Sequence, residues 1–154
     1  MSDSIQNLTD DQRVEQLAAH YKAILELLGE DPTREGLVKT PVRAAKAMLA
    51  LTSGYRKSPQ EIIKSALFKE EYGSRGQIVV VKDIEFYSFC EHHILPFFGK
   101  AHIGYVPDGC VTGLSKLARL VDAFARRLQL QERLGQDIAE IIMEAAGTPD
   151  VGVV

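Results

Sequence analysis

The fold is decided by residues 77–106, which read QIVVVKDIEFYSFCEHHILPFFGKAHIGYV. Residues 77–90 are rich in Val, Ile, Phe and Tyr. In residues 99–106 the type of side chain alternates with a period of two. Both patterns are typical of β-strands. We place Pro96 in the connection between the two strands, where its missing amide hydrogen does least harm.

Helices are predicted on the amino-terminal side of these strands. Apolar residues recur at helical spacing after Thr9, which begins a capping-box pattern, and Gly29 is expected to end this first helix. Thr40 is expected to cap a second helix that has a proline in its first turn, and Ser58 opens a third helix, again with capping-box chemistry. Residues 72–76 look like a loop between this helical region and the strands.

Two more helices and a third strand are predicted after a turn at residues 107–109. Residues 150–154 resemble the beginning of a buried strand with no turn or polar tail behind it. We therefore expect a truncated chain or a fragment of a longer reading frame. The apolar stripes of the two helices are Leu114, Leu117, Val121, Phe124 and Leu128, and then Leu130, Leu134, Ile138, Ile141 and Ala145.

The composition predicts one ordinary domain. The 154 residues are enough for a sizeable core, and the formal charge of −3 argues against a general nucleic-acid binder. No run approaches the ~18 apolar residues of a membrane span, and two cysteines do not make a disulfide framework. We expect a cytoplasmic protein with neither nucleic-acid nor membrane partners.

The tetrapeptide Cys90-Glu91-His92-His93 carries the strongest chemical signal. Cys90 and His93 have the spacing at which a thiolate and an imidazole can bind one metal ion, and zinc suits mixed sulfur and nitrogen ligands. His92 would remain free to move protons near neutral pH. The alternative is a half-buried cysteine beside two exposed histidines that bind nothing. A catalytic zinc also needs a third protein ligand, and none is obvious among His20, His102 and Cys110.

A second group of polar residues opens the fourth predicted helix. Ser115, Lys116 and Arg119 are spaced so that they can converge on one ligand, and the first turn of a helix attracts phosphate. The alternative, a solvated polar face opposite the apolar stripe, is favoured when these residues are considered alone.

Further charged residues have two possible interpretations. Glu132 is either a surface acid in the first turn of the fifth helix or an acceptor for a donor-rich ligand edge. Arg43 and Lys46 share a helix face and are either solvated charges or anion ligands.

Taken together, these motifs resemble the GTP cyclohydrolase I family. The resemblance is carried by CEHHILPFFGKAHIGYVP from Cys90, GLSKLAR from Gly113, QERL from Gln131 and the Thr40-Pro-x-Arg-x-x-Lys segment. It covers roughly residues 10–154 in unbroken order. The resemblance implies an α+β T-fold: an antiparallel strand pair, two helices on one face, and further strands. Residues 1–75 would be a helical region, and residues 76–154 would be a catalytic core that is incomplete at its carboxyl end.

The resemblance also implies an activity and an assembly. Family members convert GTP and water into 7,8-dihydroneopterin triphosphate and formate, the first step of tetrahydrofolate or pterin synthesis. They form homo-oligomeric rings, typically two pentamers face to face. The roles implied for this sequence are Zn²⁺ binding by Cys90 and His93, acid–base catalysis by His92, guanine binding by Glu132 and Gln131, and triphosphate binding by Ser115, Lys116 and Arg119 with help from Arg43 and Lys46 across a subunit boundary.

One departure from the family pattern lowers the activity expected of these residues. In the family, a His-x-Cys segment beyond the position of Val154 supplies the third zinc ligand and another catalytic histidine, and an arginine further on assists with phosphate. We therefore expect weak zinc affinity and little turnover from the 154 residues. The alternatives are a non-catalytic nucleotide-binding or assembly subunit of the same fold, and another T-fold enzyme of the nitrile reductase type.

Overall fold

The computed structural model describes residues 7–69 and 76–154, and the predicted loop at 72–76 therefore lies almost wholly outside the described residues. The chain forms two units, Met1–Thr52 and Ser53–Val154. The proposed division between residues 75 and 76 stays a prediction. The helices are α1 (Asp10–Leu27), α2 (Thr40–Leu51), α3 (Pro59–Lys64), α4 (Leu114–Ala125) and α5 (Gln131–Ala146). The strands are β1 (Leu67–Lys69), β2 (Val79–Cys90), β3 (Pro96–Tyr105), β4 (Cys110–Thr112), β5 (Leu128–Gln129) and β6 (Val151–Val153).

The first unit contains α1 and α2, and both were predicted. Thr9 accepts a hydrogen bond from the amide of Gln12, and the Gln12 side chain accepts one from the amide of Thr9, which completes the capping box. Gly29 follows the helix with φ of +87°, a conformation that glycine adopts without strain. Thr40 is the first residue of α2 and Lys39 is its cap, so the predicted capping role of Thr40 was wrong.

The second unit is built around the antiparallel pair of β2 and β3. The register runs from Val79 opposite Tyr105 to Phe89 opposite Pro96, with a bulge between Val81 and Ile84. Pro96 is therefore the first residue of β3 and does not lie in the connection, which corrects the sequence prediction. A proline is accommodated at the first residue of a strand.

The complete sheet has the order β5-β2-β3-β6, with β6 antiparallel to β3 and β5 parallel to β2. The predicted third strand is confirmed as β6. Leu128 was assigned to the helix stripe, but it pairs with Phe89 as part of β5, because α4 ends at Ala125. A separate pair of β1 and β4 was not predicted, since strands of three residues show no readable period.

The core lies where α4 and α5 cover one face of this sheet. Ala101, Ile103 and Tyr105 alternate on that face of β3 and are buried, and Leu117 and Ile138 from the two helices are fully buried against them. The Tyr105 hydroxyl accepts a hydrogen bond from the buried amide of Thr112, at 3.1 Å. The predicted α+β class is confirmed. The packing of α4 and α5 on the sheet also fixes the end of β2 and the starts of α4 and α5, where Cys90, Ser115 and Glu132 lie.

Candidate functional site

The turn after β2 brings Cys90 and His93 together. The amide of Cys90 donates to the carbonyl oxygen of Leu95, and the amide of Ile94 donates to the carbonyl oxygen of Cys90, each at 2.8 Å. Ile94 has φ of +56°, so the backbone reverses within the turn. As a result, Cys90 Sγ lies 3.5 Å from His93 Nδ1.

This separation fits a shared zinc ion. With Zn–S near 2.3 Å and Zn–N near 2.0–2.1 Å, a tetrahedral angle places sulfur and nitrogen about 3.6 Å apart. A thiol–imidazole hydrogen bond has a similar length. Across residues 7–69 and 76–154, no group of three or more His, Cys, Asp or Glu side chains is placed to hold a metal ion. The described residues thus supply a ligand pair that fits zinc, without a third ligand.

The other candidate ligands lie in different surroundings. Cys110 is a free, half-buried thiol in β4, and His20 is exposed on α1. His102 Nδ1 accepts a hydrogen bond from the amide of Asp83 at 3.1 Å and is therefore already engaged at the bulge. None of the three is part of a metal cluster in the portion of the chain that is described.

An ion pair fastens the turn to the beginning of α5. Arg133 Nη1 and Nη2 donate to the two carboxylate oxygens of Glu91, at 2.5 and 2.9 Å. The hydrogen bonds from Arg133 hold the pKa of the Glu91 carboxyl below its usual value, and the carboxylate raises the pKa of Arg133 in return. The Glu91 amide also donates to the Gln129 carbonyl oxygen at 3.1 Å, so the turn is held to the segment before α5 as well.

His92 is exposed at the outer side of this turn. Its Nε2 lies 4.0 Å from the nearer Glu91 oxygen, and its ring centre lies 6.1 Å from that of His93, at nearly a right angle. The imidazole is therefore accessible to a ligand and stands beside the ligand pair.

Gln131 and Glu132 form the exposed first turn of α5. Both line an open cavity of about 520 Å³, whose other walls include Phe97, Phe98 and Lys100. Neither Cys90 nor either histidine of the turn belongs to the walls of this cavity. Glu132 lies near the positive end of the helix dipole.

Ser115 and Lys116 lie in the first turn of α4, with Ser115 exposed and Lys116 half-buried. No side chain caps this helix start, where the amide of Lys116 bonds only the Gly113 carbonyl, at 2.8 Å. Arg119 is one turn further and lines a second cavity of about 460 Å³ together with Lys57 and Ser58.

Arg43 and Lys46 are exposed on α2 of the first unit. The structure therefore brings together Cys90 with His93, Gln131 with Glu132, and Ser115 with Lys116, as three separate groups. Among the described residues, neither the cavity beside Glu132 nor the cavity beside Arg119 is lined by all three groups.

Comparison with known proteins identifies the family. The model of the GTP cyclohydrolase I family matches residues 17–154. A protein named GTP cyclohydrolase 1 from Bacteroides fragilis is 57% identical over 141 residues, which cover 92% of this chain and 71% of the relative. The protein of that name from Porphyromonas gingivalis is 58% identical over 138 residues, covering 90% and 70% of the two chains. The chain belongs to the GTP cyclohydrolase I family.

A third relative has nearly the same identity to this chain. GTP cyclohydrolase 1 2 from Pseudomonas aeruginosa is 54% identical over 138 residues, covering 90% of this chain and 75% of the relative. Membership makes the protein a hydrolase-family enzyme, and its strand pair, covering helices and further strands agree with the T-fold expected of a GTP cyclohydrolase I. Every helix in the described ranges is too short or too polar to serve as a membrane span.

Sequence reasoning missed one feature of this family member's site, the pairing of Glu91 with Arg133. Both residues stand inside motifs that carried the resemblance, but they are 42 positions apart. Their opposite charges were the only available signal, and nothing in the local pattern indicated that they meet.

Proposed function

We propose that the protein opens the imidazole ring of the guanine base in GTP, giving 7,8-dihydroneopterin triphosphate and formate. Family membership supports this proposal, and the observation that carries it is the 3.5 Å approach of Cys90 Sγ to His93 Nδ1 beside the exposed His92. Ring opening requires water to attack C8, a poor electrophile in a stable aromatic ring. The candidate site residues would lower the free-energy barrier to this attack.

Cys90 and His93 would hold Zn²⁺. When bound, zinc supplies Lewis acidity that makes water a better nucleophile at neutral pH. The backbone hydrogen bonds of the turn fix the main chain at both residues before any ion binds, which lowers the cost of ordering the two ligands. Because a catalytic zinc takes three protein ligands, we propose that the 154 residues alone bind zinc weakly.

His92 would donate a proton to the ring nitrogen of guanine. Protonation makes C8 more electrophilic and assists cleavage of the C–N bond, and such a transfer is typically worth ~10²–10⁴ in rate. The exposure of His92 supports this role, as does its position two residues after Cys90 and directly before His93.

Glu132 would hold the guanine edge, with Gln131 beside it. A carboxylate can accept two parallel N–H bonds, which are the donors that the amide edge of guanine presents. The open cavity of about 520 Å³ beside both residues offers room for a base, and Phe97 and Phe98 provide apolar walls.

Ser115, Lys116 and Arg119 would bind the triphosphate, with Arg43 and Lys46 contributing further positive charge. No side chain caps the first turn of α4, and the start of a helix attracts anions. Since Ser115 and Lys116 are not among the residues that line the Glu132 cavity, we propose that the base and phosphate sites combine across subunits of a homo-oligomeric ring of ten chains in two pentamers.

A binding and turnover assay on the 154-residue protein tests this function. With Zn²⁺ present, we expect GTP to bind and formate to be released only slowly, because the zinc site has two protein ligands. Rapid formate release would contradict the incomplete site, and failure to bind GTP would contradict the proposed function.

Both free cysteines accord with a reducing compartment, and we propose a cytoplasmic location.

The second candidate is a non-catalytic nucleotide-binding or assembly subunit of the same fold. It is favoured by the lack of a three-ligand metal group among the residues that the structure describes. The coding sequence after Val154 separates the two candidates. An open frame that encodes His-x-Cys supports the enzyme, and an immediate natural stop codon supports the non-catalytic subunit.

A further inference from the structure

The ion pair between Glu91 and Arg133 joins the two parts of the proposed site. Glu91 stands between Cys90 and His92 on the turn, and Arg133 follows Glu132 in the first turn of α5. Two hydrogen bonds in parallel fix both the distance and the relative orientation of the two groups.

Most exposed ion pairs contribute little to stability, because water and mobile side chains weaken them. This pair differs in geometry from a typical one. Its two-pronged contact is supported by the Glu91 amide bonding the Gln129 carbonyl oxygen, and Cys90 pairs with Gln129 in the parallel β2–β5 ladder. The two-pronged ion pair and this backbone pairing therefore hold the turn against the segment that leads into α5.

We propose that Glu91 and Arg133 are positioning residues that hold the Cys90–His93 pair and His92 in a fixed place relative to Glu132. This inference rests on the proposed function, in which Cys90 and His93 bind the metal and Glu132 binds the base. Neither Glu91 nor Arg133 is assigned a contact with metal or substrate. Groups that orient metal ligands from outside typically change metal affinity or activity ~10–100-fold when they are removed.

The test uses Co²⁺ as the probe, because a cobalt–thiolate bond gives a visible absorption signal. In the 154-residue protein, Glu91→Gln and Arg133→Gln should each weaken Co²⁺ binding about 10-fold. The double variant should be no weaker than either single variant, because both changes remove the same contact. Arg133→Lys should also weaken binding, since lysine keeps the charge and loses the two-pronged geometry.

Glu140→Gln is the matched control. Glu140 is another exposed α5 carboxylate, and it accepts a hydrogen bond from Gln136 at 2.8 Å, away from the turn. This variant should leave both the Co²⁺ affinity and the absorption spectrum unchanged. Thermal unfolding of every variant shows whether a loss of affinity reflects a loss of folded protein.

A second readout needs no metal. The amide of Ile94 donates to the Cys90 carbonyl oxygen within the turn, and its hydrogen exchange should become several-fold faster in Glu91→Gln and in Arg133→Gln alike. The proposal would be overturned if Arg133→Gln bound Co²⁺ as tightly as the wild type or more tightly. It would also be overturned if the losses of affinity in the two single variants added up in the double variant. If the unmutated protein gives no signal that depends on Cys90, the proposed metal site fails, and the exchange measurement still decides whether the bridge positions the turn.

Discussion

Gly54 donates its amide hydrogen to the carbonyl oxygen of Arg126, at 2.9 Å, and approaches the end of α4 more closely than any side chain would allow. A Cβ atom at this position would lie 2.1 Å from the Ala123 carbonyl oxygen and 2.6 Å from that of Arg126. Both contacts are with backbone atoms, which cannot rotate out of the way as the end of a flexible side chain can. The short 3-10 segment Ser53–Arg56 is thereby packed onto the carboxyl end of α4.

Gly54→Ala should destabilise the protein, because the helix end or the 3-10 segment must move to admit the methyl group. Overpacking of this kind typically costs about 1–3 kcal/mol. Urea unfolding measures the change in free energy. The control is Gly135→Ala in α5, where an added Cβ meets nothing within 4 Å, and it should be neutral or stabilise by up to about 1 kcal/mol. Equal effects of the two substitutions would contradict the packing described.

Asp122 should make stability depend on pH in the acid range. Burial raises the pKa of this carboxyl, but hydrogen bonds from Lys57 and Arg126 outweigh that effect and hold the pKa below its usual value of 3.8. A lowered pKa means that the stabilisation is present above the usual value and is lost as the pH falls through the lowered one. The free-energy difference between the wild type and Asp122→Asn should therefore shrink below about pH 4. A difference that stays constant down to pH 2, an acid limit chosen about two units below the usual carboxyl pKa, would contradict this assignment.

Much of the fold was readable from local pattern, because local chemistry determines it. The capping box at Thr9 and the serine cap at Ser58 place α1 and α3, and the change to strand-rich composition places β2 and β3. The errors at Pro96 and Leu128 have a common cause: each residue belongs to a strand because it pairs with a residue of another strand, which the local pattern around it does not show. In both cases that partner is Phe89, through its pairing with β3 on one side and β5 on the other.

The candidate site was readable only in part for the same reason. The Cys90–His93 contact lies within one turn, so spacing predicts it. The ion pair between Glu91 and Arg133 depends on the path of the chain from α4 through β5 to α5. The local sequence does not predict this path. The cavity beside Glu132 likewise forms from residues of β2, β3 and α5, with Val153 and Val154 at the end of β6.

Glu132→Gln should weaken GTP binding, since an amide can accept only one of the two N–H bonds proposed for the carboxylate. Hydrogen bonds to charged groups are worth about 1.5–3 kcal/mol, which corresponds to roughly a 10- to 150-fold loss of affinity. Calorimetric titration with GTP and with guanosine measures the effect, and both ligands should be weakened. Glu140→Gln serves again as the control. Unchanged guanosine affinity in Glu132→Gln would exclude a base-binding role.

Lys116→Ala should have the complementary selectivity. Because Lys116 is proposed to meet phosphate, the variant should lose roughly 10-fold in GTP affinity and bind guanosine as the wild type does. The difference should diminish at high salt, where charge interactions are screened. Lys64→Ala, which removes an exposed lysine from α3, is the control. Equal losses for GTP and guanosine would place Lys116 outside the phosphate site.

The metal-binding role of Cys90 and His93 is tested most directly by titrating the protein with Co²⁺ and recording the cobalt–thiolate absorption. The account predicts that the signal is present in the wild type, disappears in Cys90→Ser, is strongly weakened in His93→Ala, and persists in Cys110→Ser, which removes the other thiol. A signal that survives Cys90→Ser, or a wild-type protein that gives none, would contradict the account.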